Sequence, residues 1–205
     1  MDLIETIKAR RSIRKFKTDP IPDEYIKELI EAGRLAPSGS NLQATRYVII
    51  KSLEGRSKLA QCTPLPFVTR APLIIACCID KQVLNTSNAR TSELIEANAF
   101  VDTPLANMSK DSDALEKQKK KMDEDSLKSY LRLNAAIAIE HIALRAVELG
   151  LGSCWIMMFN SEKAKEILEL DERYEVVALL PIGYPDQSPL QRPRLQLDDL
   201  IIQTL

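Results

Sequence analysis

The chain has 205 residues, 45% of them hydrophobic, and a formal net charge of −1 at pH 7. This length and composition are typical of one domain with its own hydrophobic core. The near-neutral charge argues against a nucleic-acid-binding protein, and no apolar segment is long enough to predict a membrane-spanning helix.

The first predicted elements are helical. Residues 2–9 predict a short amphipathic helix, and the opening sequence, MDLIETIKAR, does not resemble a signal peptide. A second helix is predicted to begin at Pro22 and Asp23, because apolar residues recur there at helical spacing. These residues are Ile26, Leu29, Ile30 and Leu35. The Pro, Ser, Gly and Asn residues of APSGSNLQ (36–43) then predict a loop.

Two buried strands are predicted next, over residues 46–51 and 71–80, the second introduced by Pro72. Residues 81–126 are different, because their apolar content falls and the run KDSDALEKQKKKMDED is heavily charged. This segment predicts an exposed helix or an excursion of the chain, which is either a lid over a site or solvated surface.

The longest helical pattern covers residues 127–149 and is apolar on nearly every face. Such a helix is expected at the centre of a fold, covered on all sides, and Gly150 and Gly152 end it. His141, the single histidine of the chain, lies within this helix. We interpret it as a structural residue, and one histidine excludes a multi-histidine metal site.

The remaining pattern predicts a buried strand over residues 153–159, a helix over 161–169 capped by Ser161, and a strand over 175–185. The alternation of helices and strands indicates an α/β or α+β protein. We expect residues 1–205 to form a single domain, with 81–126 as an insertion.

Few residues of the chain are suited to acid–base or nucleophilic catalysis. The cysteines, Cys62, Cys77, Cys78 and Cys154, form no CxxC pair, so we expect buried free thiols in a reducing cytoplasm rather than a metal site. If residues 71–80 form a strand, adjacent Cys77 and Cys78 point to opposite faces. The sequence also contains no GxSxG, HExxH, P-loop or GxGxxG motif.

Three polar segments nevertheless indicate a ligand. Arg10-Arg11-Ser12-Ile13-Arg14 offers guanidinium groups suited to a phosphate, together with a hydroxyl. Residues 37–43 (PSGSNLQ) offer backbone amides and two carboxamides, which both donate and accept hydrogen bonds. The segment QRPR (191–194) adds two further arginines. Together these segments indicate a phosphorylated, planar, hydrogen-bonding cofactor.

Five segments, in this order and spacing, resemble the nitroreductase family of FMN-dependent oxidoreductases. They are IKARRSIRKF (7–16), RLAPSGSNLQ (34–43), APLIIACCID (71–80), ELGLGSCWIMMF (148–159) and LPIGYPDQSPLQRPR (180–194). The resemblance implies a three-layer α-β-α protein of the α+β class. Its mixed, mostly antiparallel central sheet would lie around a buried long helix, in a domain-exchanging homodimer with FMN at the subunit interface.

The resemblance also implies a role for individual residues. The phosphate end of FMN would be held by Arg10, Ser12 and Arg14, joined by Arg11 and, from the C-terminal segment, by Arg192 and Arg194. From the partner subunit, Pro37, Ser38 and Gly39 would lie against the flavin, and Asn41 and Gln43 would hydrogen-bond its ring. Met157 and Met158 stand where the family presents backbone amides near the flavin N5 and O4. No protein residue is expected to be catalytic, since the flavin carries the chemistry.

The implied activity is ping-pong electron transfer from NADH or NADPH to nitro compounds, quinones or related acceptors. Two alternatives stay open: an FMN enzyme for one specific metabolite, and a non-enzymatic flavin-binding protein. The chain also departs from the family pattern at several positions, among them Ala44 and Thr45. Met157 and Met158 replace small residues and could narrow the substrate side, and Asn134 stands where an acidic residue is common. Some members of the family are dehalogenases that bind an amino-acid substrate through a Glu, Tyr and Lys set in a lid. This chain has no matching set, because residues 81–129 contain no tyrosine.

Overall fold

A computed structural model of the chain describes residues 2–101 and 123–205. Part of the predicted charged insertion, residues 102–122, lies outside the described residues. The helices are α1 (Leu3–Ala9), α2 (Asp23–Arg34), α3 (Leu53–Lys58), α4 (Pro66–Arg70), α5 (Ser87–Glu96), α6 (Glu124–Glu148) and α7 (Ser161–Ile167). The strands are β1 (Thr45–Ile50), β2 (Leu73–Asp80), β3 (Gly152–Ser153) and β4 (Tyr174–Gly183).

The four strands form one sheet in the order β1-β2-β4-β3, and each neighbouring pair is antiparallel. Among the described residues, parallel pairing is limited to an isolated bridge between Ser12 and Ser153. All eight residues of β2 are buried, which explains the unbroken apolar run of the sequence there. The expected, mostly antiparallel sheet is therefore confirmed.

The sheet separates two helical layers. From β2, Leu73, Ile75 and Cys77 pack into a core cluster that includes α2 and α6. The alternate residues Ile74, Ala76 and Cys78 pack into a second cluster on the opposite face, with α4 and α7. The expected α-β-α layering is thus confirmed, and so is the placement of Cys77 and Cys78 on opposite faces. All four cysteines are free and buried.

Helix α6 is the long central helix that the sequence predicts, and its first turn is capped by the Asp123 side chain, which accepts from the Ser126 amide at 2.8 Å. One face is buried against α2 and the sheet. In the single chain, however, Leu133 is 65% exposed and Ile137 is 37% exposed. The expectation that α6 is covered on all sides therefore does not hold for one chain alone. His141 is half-buried on this helix.

The predicted strand over 153–159 is wrong in extent. The regular strand ends at Ser153, but the Cys154 amide still donates to the Pro181 carbonyl at 3.3 Å, and Ile156 forms an isolated bridge to Leu179. Hydrogen bonding to β4 therefore continues as far as Ile156. The backbone then turns outward, leaving Met157 and Met158 exposed. An apolar run predicts burial, but it does not predict where the chain leaves a sheet edge.

Two local predictions also need correction. The cap of α7 is Asn160, whose side chain accepts from the Lys163 amide at 2.9 Å, while Ser161 donates instead to the Val176 carbonyl at 2.6 Å. Leu35, expected on the apolar face of α2, follows the end of that helix and is exposed. None of the described helices is both long and apolar enough to cross a membrane.

Candidate cofactor site

The cationic turn (residues 10–14) is positioned by α1 and β3. The Arg10 amide closes α1 on the Thr6 carbonyl at 3.0 Å, and the Ile13 amide donates to the Ser153 carbonyl at 2.9 Å. Ile13 is buried and lies so close to Gly152 that a Cβ there would be 2.4 Å from its Cγ1. Glycine at 152 therefore permits the turn to lie directly against the sheet edge.

Three of the four predicted phosphate-binding residues of this turn lie in the neighbourhood of one buried thiol. Burial raises the pKa of Cys154, and the charge of Arg14, hydrogen bonding with Ser12 and the charge of Arg10 act against that rise. Arg10 also pairs with Glu140 of α6, at 3.2 Å. The turn thus offers guanidinium and hydroxyl groups, the donor set that suits a phosphate.

Arg11 is placed differently from its neighbours. Its guanidinium turns back and donates to the carbonyl oxygens of Lys8 and Arg10, the second at 2.8 Å. It therefore satisfies carbonyls at the C-terminal end of α1. Arg14, by contrast, reaches only the Ser12 carbonyl, at 3.4 Å, so its guanidinium keeps most of its donors.

The 36–43 loop contains a strained turn. Ser40, Asn41 and Gln43 have φ values of 50°, 52° and 51°, in the left-handed region. Ser38 holds the turn, because its Oγ accepts from the Gln43 amide at 2.9 Å. A side chain outside the loop, Asn134 of α6, accepts from the Gly39 amide at 2.7 Å. Such strain persists where surrounding bonds enforce it, and it is common at ligand sites.

Tyr130 and Asn134 of α6 contact the 36–43 loop and have no assigned role in the sequence analysis. Asn134 is buried and donates to the Tyr130 carbonyl at 2.7 Å while accepting from Gly39. The Tyr130 hydroxyl lies where a side chain on Gly39 would begin, 1.6 Å from a Cβ built there. The sequence does carry a signal for Asn134, which is a polar residue among the apolar residues of a buried helix. A buried polar side chain needs a hydrogen-bond partner.

The loop also borders a cavity of about 200 Å³ between α2, β1 and α6. Predicted residues Pro37, Ser38 and Gln43 line it, together with Asn134. Tyr47 lines it as well, and its hydroxyl is buried without a hydrogen-bond partner among the described residues. Burial raises the pKa of Tyr47, so the hydroxyl stays neutral and can donate or accept.

The Met157–Met158 pair forms an exposed corner beside the sheet edge. Met157 is 74% exposed and Met158 is 64% exposed, and the Met158 carbonyl is held by the Thr63 hydroxyl at 2.9 Å. Within the described part of the chain, neither methionine amide donates a hydrogen bond. Two consecutive free N–H groups are therefore available to an acceptor.

The single chain does not bring all predicted residues together. Arg192 and Arg194 are exposed, and the Arg194 guanidinium donates only to the carbonyls of Arg192 and Pro193, at 3.4 and 3.0 Å. The cavity that contains the loop residues Pro37, Ser38 and Gln43 includes none of the cationic turn. Among the described residues, no group of three or more histidine, cysteine, aspartate or glutamate side chains could hold a metal ion.

Helix α5 lies within the described part of the predicted insertion. It is largely exposed and packs against the Gly39–Asn41 turn of the loop. An exposed helix thus lies next to a candidate site segment, while most of the charged run (residues 110–125) on which the prediction depends lies outside the described residues. The lid hypothesis concerns residues 81–126 as a whole and extends beyond the described residues.

Comparison with known proteins gives a consistent result. A sequence model of the nitroreductase family matches residues 7–184. An NADPH-flavin oxidoreductase of Vibrio harveyi is 31% identical over 195 residues, which are 94% of this chain and 69% of that protein. An NADH dehydrogenase of Thermus thermophilus is 26% identical over 194 residues, which are 94% of this chain and 91% of that protein.

Solved structures of similar proteins share the fold of this chain. A crystal structure from Exiguobacterium sibiricum, solved in complex with FMN, matches with a TM-score of 0.86 at 23% identity, covering 100% of this chain and 98% of the other. At this identity the match concerns the fold. Since the family model spans the cationic turn, the 36–43 loop, all four strands and the Met157–Met158 corner, the chain belongs to the nitroreductase family.

Proposed function

We propose that the protein is an FMN-dependent oxidoreductase that passes electrons from NADH or NADPH to nitro compounds, quinones or related small acceptors. The observation that carries this proposal is the position of Arg10, Ser12 and Arg14 in one turn against the sheet edge, within the segment that the nitroreductase family model matches. The names of the relatives support it, since one is a flavin oxidoreductase and both act with nicotinamide nucleotides by name.

The residues present fit FMN. Guanidinium groups and the Ser12 hydroxyl suit its phosphate, and the free amides of Met157 and Met158 suit the acceptor atoms of its ring. When bound, FMN supplies two-electron redox chemistry. The side chains of this protein would bind and orient FMN. The positive charge of Arg14 would help to stabilise the negative charge that the flavin gains when it is reduced.

The exposed Met157 and Met158 side chains limit the space beside the proposed ring position. Met157 also lines an apolar cavity of about 290 Å³ with Trp155 and Phe159. We infer that the nicotinamide and the acceptor occupy this side in turn, in a ping-pong cycle. Flat apolar acceptors should suit the methionines better than charged ones.

The proposed active form is a homodimer with FMN at the interface. Leu133 and Ile137 of α6 and the apolar residues of α1 are exposed in the single chain. The C-terminal arm (residues 190–205) is also exposed and carries Leu190, Leu195, Leu197, Leu200, Ile201, Ile202 and Leu205. Apolar surface of this extent is typical of an interface. A partner would cover it and supply the 36–43 loop to the cationic turn.

The proposal is tested by purifying the protein and identifying its chromophore. We expect a yellow protein that releases FMN on denaturation and bleaches when NADH or NADPH is added without oxygen. Reoxidation by menadione and by nitrofurazone then measures acceptor use. Protein that is colourless and takes up no added FMN would contradict the proposal, and bound FMN without bleaching would favour the non-enzymatic alternative.

A further inference from the structure

A second basic site lies beside the cationic turn. This basic cavity, of about 560 Å³, is formed where residues 14–18 meet α3 and α4. Its lining includes four cations and two aromatic rings: Arg14, Lys15, Arg56, Arg70, Phe16 and Phe67. The lining contains no carboxylate. Asp186 pairs with Lys15 at 2.7 Å, so three guanidinium groups remain without a carboxylate partner among the described residues.

Arg56 is held as a fixed donor in this cavity. Its Nε donates to the Lys51 carbonyl at 3.2 Å, and its Nη1 donates to the carbonyls of Ala71 and Thr69 at 2.7 and 3.3 Å. A guanidinium has five N–H groups, so these three bonds leave the two on Nη2 without a partner in the described chain. A planar fork held by three backbone oxygens loses little further freedom when it binds an oxyanion.

Arg70 and Arg14 are the cations of the cavity with the fewest partners among the described residues. Arg70, in the last turn of α4, makes no hydrogen bond or ion pair with the described residues, and Arg14 reaches only the Ser12 carbonyl. Like charges in one cavity repel each other, and a dianion placed between them relieves that repulsion. The cavity is therefore suited to a phosphate group, and Phe16 and Phe67 add aromatic surface for an attached base.

This cavity is separate from the proposed FMN phosphate position. Arg10, Ser12 and Cys154 do not line it, and Arg14 is the one residue that borders both. We propose that the basic cavity binds the 2′-phosphate of NADPH and makes the protein prefer NADPH to NADH. The inference rests on the proposed function, because it assigns the reductant of that same enzyme.

The test is a calorimetric titration of the FMN-loaded protein with adenosine 2′,5′-bisphosphate and, separately, with 5′-AMP. We expect the bisphosphate to bind at least about tenfold more tightly, the gain expected from one charge-assisted hydrogen bond. Arg70→Ala should remove that difference without changing FMN affinity. Lys58→Ala is the matched control, because it removes one exposed cation of α3 that lies outside the cavity.

Kinetics give a second readout. Arg70→Ala should raise the KM for NADPH about tenfold or more and leave the KM for NADH unchanged. Equal binding of the two nucleotides by the wild type, or an Arg70→Ala variant with unchanged preference, would overturn the proposal. If the purified protein holds no FMN but still selects the bisphosphate through Arg70, the cavity assignment stands and the proposed function fails.

Discussion

The Gly39 amide donates to Oδ1 of Asn134 at 2.7 Å, across 95 residues of sequence. This bond ties the 36–43 loop, with its left-handed residues, to the central helix α6. Because Asn134 also donates to the Tyr130 carbonyl, one buried carboxamide holds both a strained loop and a turn of the helix. The geometry of the proposed flavin-facing loop therefore depends on α6.

Replacing Asn134 by leucine should destabilise the protein and loosen the loop. The Gly39 amide would lose its acceptor, and an unsatisfied polar group of this kind costs about 1–3 kcal/mol. We expect a lower urea midpoint and weaker FMN binding, measured by flavin fluorescence. Ser129→Ala, on an exposed position of the same helix, is the control. Unchanged FMN affinity in Asn134→Leu would show that the loop does not contribute to binding.

Gly39→Ala should force Tyr130 aside, because the new Cβ would lie 1.6 Å from the tyrosine hydroxyl. Overpacking of this kind costs about 1–3 kcal/mol. In a Tyr130→Ala background the same substitution should cost much less. A double-mutant cycle of unfolding free energies measures this coupling. Additive costs would mean that the clash is relieved elsewhere.

Because of Asp80, the free energy of unfolding should depend on pH in the acidic range. Burial raises the pKa of this carboxyl, but hydrogen bonds from Arg173 and the Gln82 amide outweigh burial and hold the pKa below its ordinary value. A lowered pKa contributes stability that is present at neutral pH and is lost as the pH falls through the folded-state pKa.

Asp80→Asn should therefore be less stable at pH 7, by about 1–3 kcal/mol for the weakened hydrogen bonds. The difference from the wild type should shrink as the pH falls below about 4, where the unfolded carboxyl is protonated. Urea unfolding at several pH values measures it. Glu31→Gln, in the exposed pair with Arg34, should show little difference at any pH. A constant Asp80→Asn deficit from pH 7 to pH 3 would contradict this account.

Arg10→Ala should weaken FMN retention about tenfold or more, as expected for loss of a charge-assisted hydrogen bond of roughly 1.5–3 kcal/mol. Lys17→Ala removes an exposed cation just beyond the cationic turn and should have little effect. Fluorescence titration of the stripped protein with FMN compares them. Equal losses in both variants would indicate general electrostatic attraction rather than a defined phosphate grip.

The C-terminal arm should hold the proposed dimer together. Deleting residues 195–205 removes six of the seven exposed leucine and isoleucine side chains of the arm. The deletion leaves Arg192 and Arg194 in place. We expect a larger monomer fraction by light scattering and, because the site is shared, faster loss of FMN on dilution. A truncated protein that stays dimeric and yellow would place the interface elsewhere.

Local patterns in the sequence were sufficient for most of the fold. The apolar run of β2, the helical spacing in α2 and the long apolar segment of α6 each predicted the observed element, because burial imposes a period on side chains. Local chemistry also singled out Arg10, Ser12 and Arg14, since guanidinium groups beside a hydroxyl suit a phosphate.

Contacts between distant segments could not be predicted from these local sequence patterns. The chain leaves the sheet edge after Ile156, and the Gly39 amide donates to Asn134, through contacts between segments that are distant in the sequence. The basic cavity likewise brings together Arg14 of the cationic turn, Arg56 of α3 and Arg70 of α4. Side-chain periodicity records which face is buried, but it carries no information about which distant residue lies opposite, and that pairing is what builds the site.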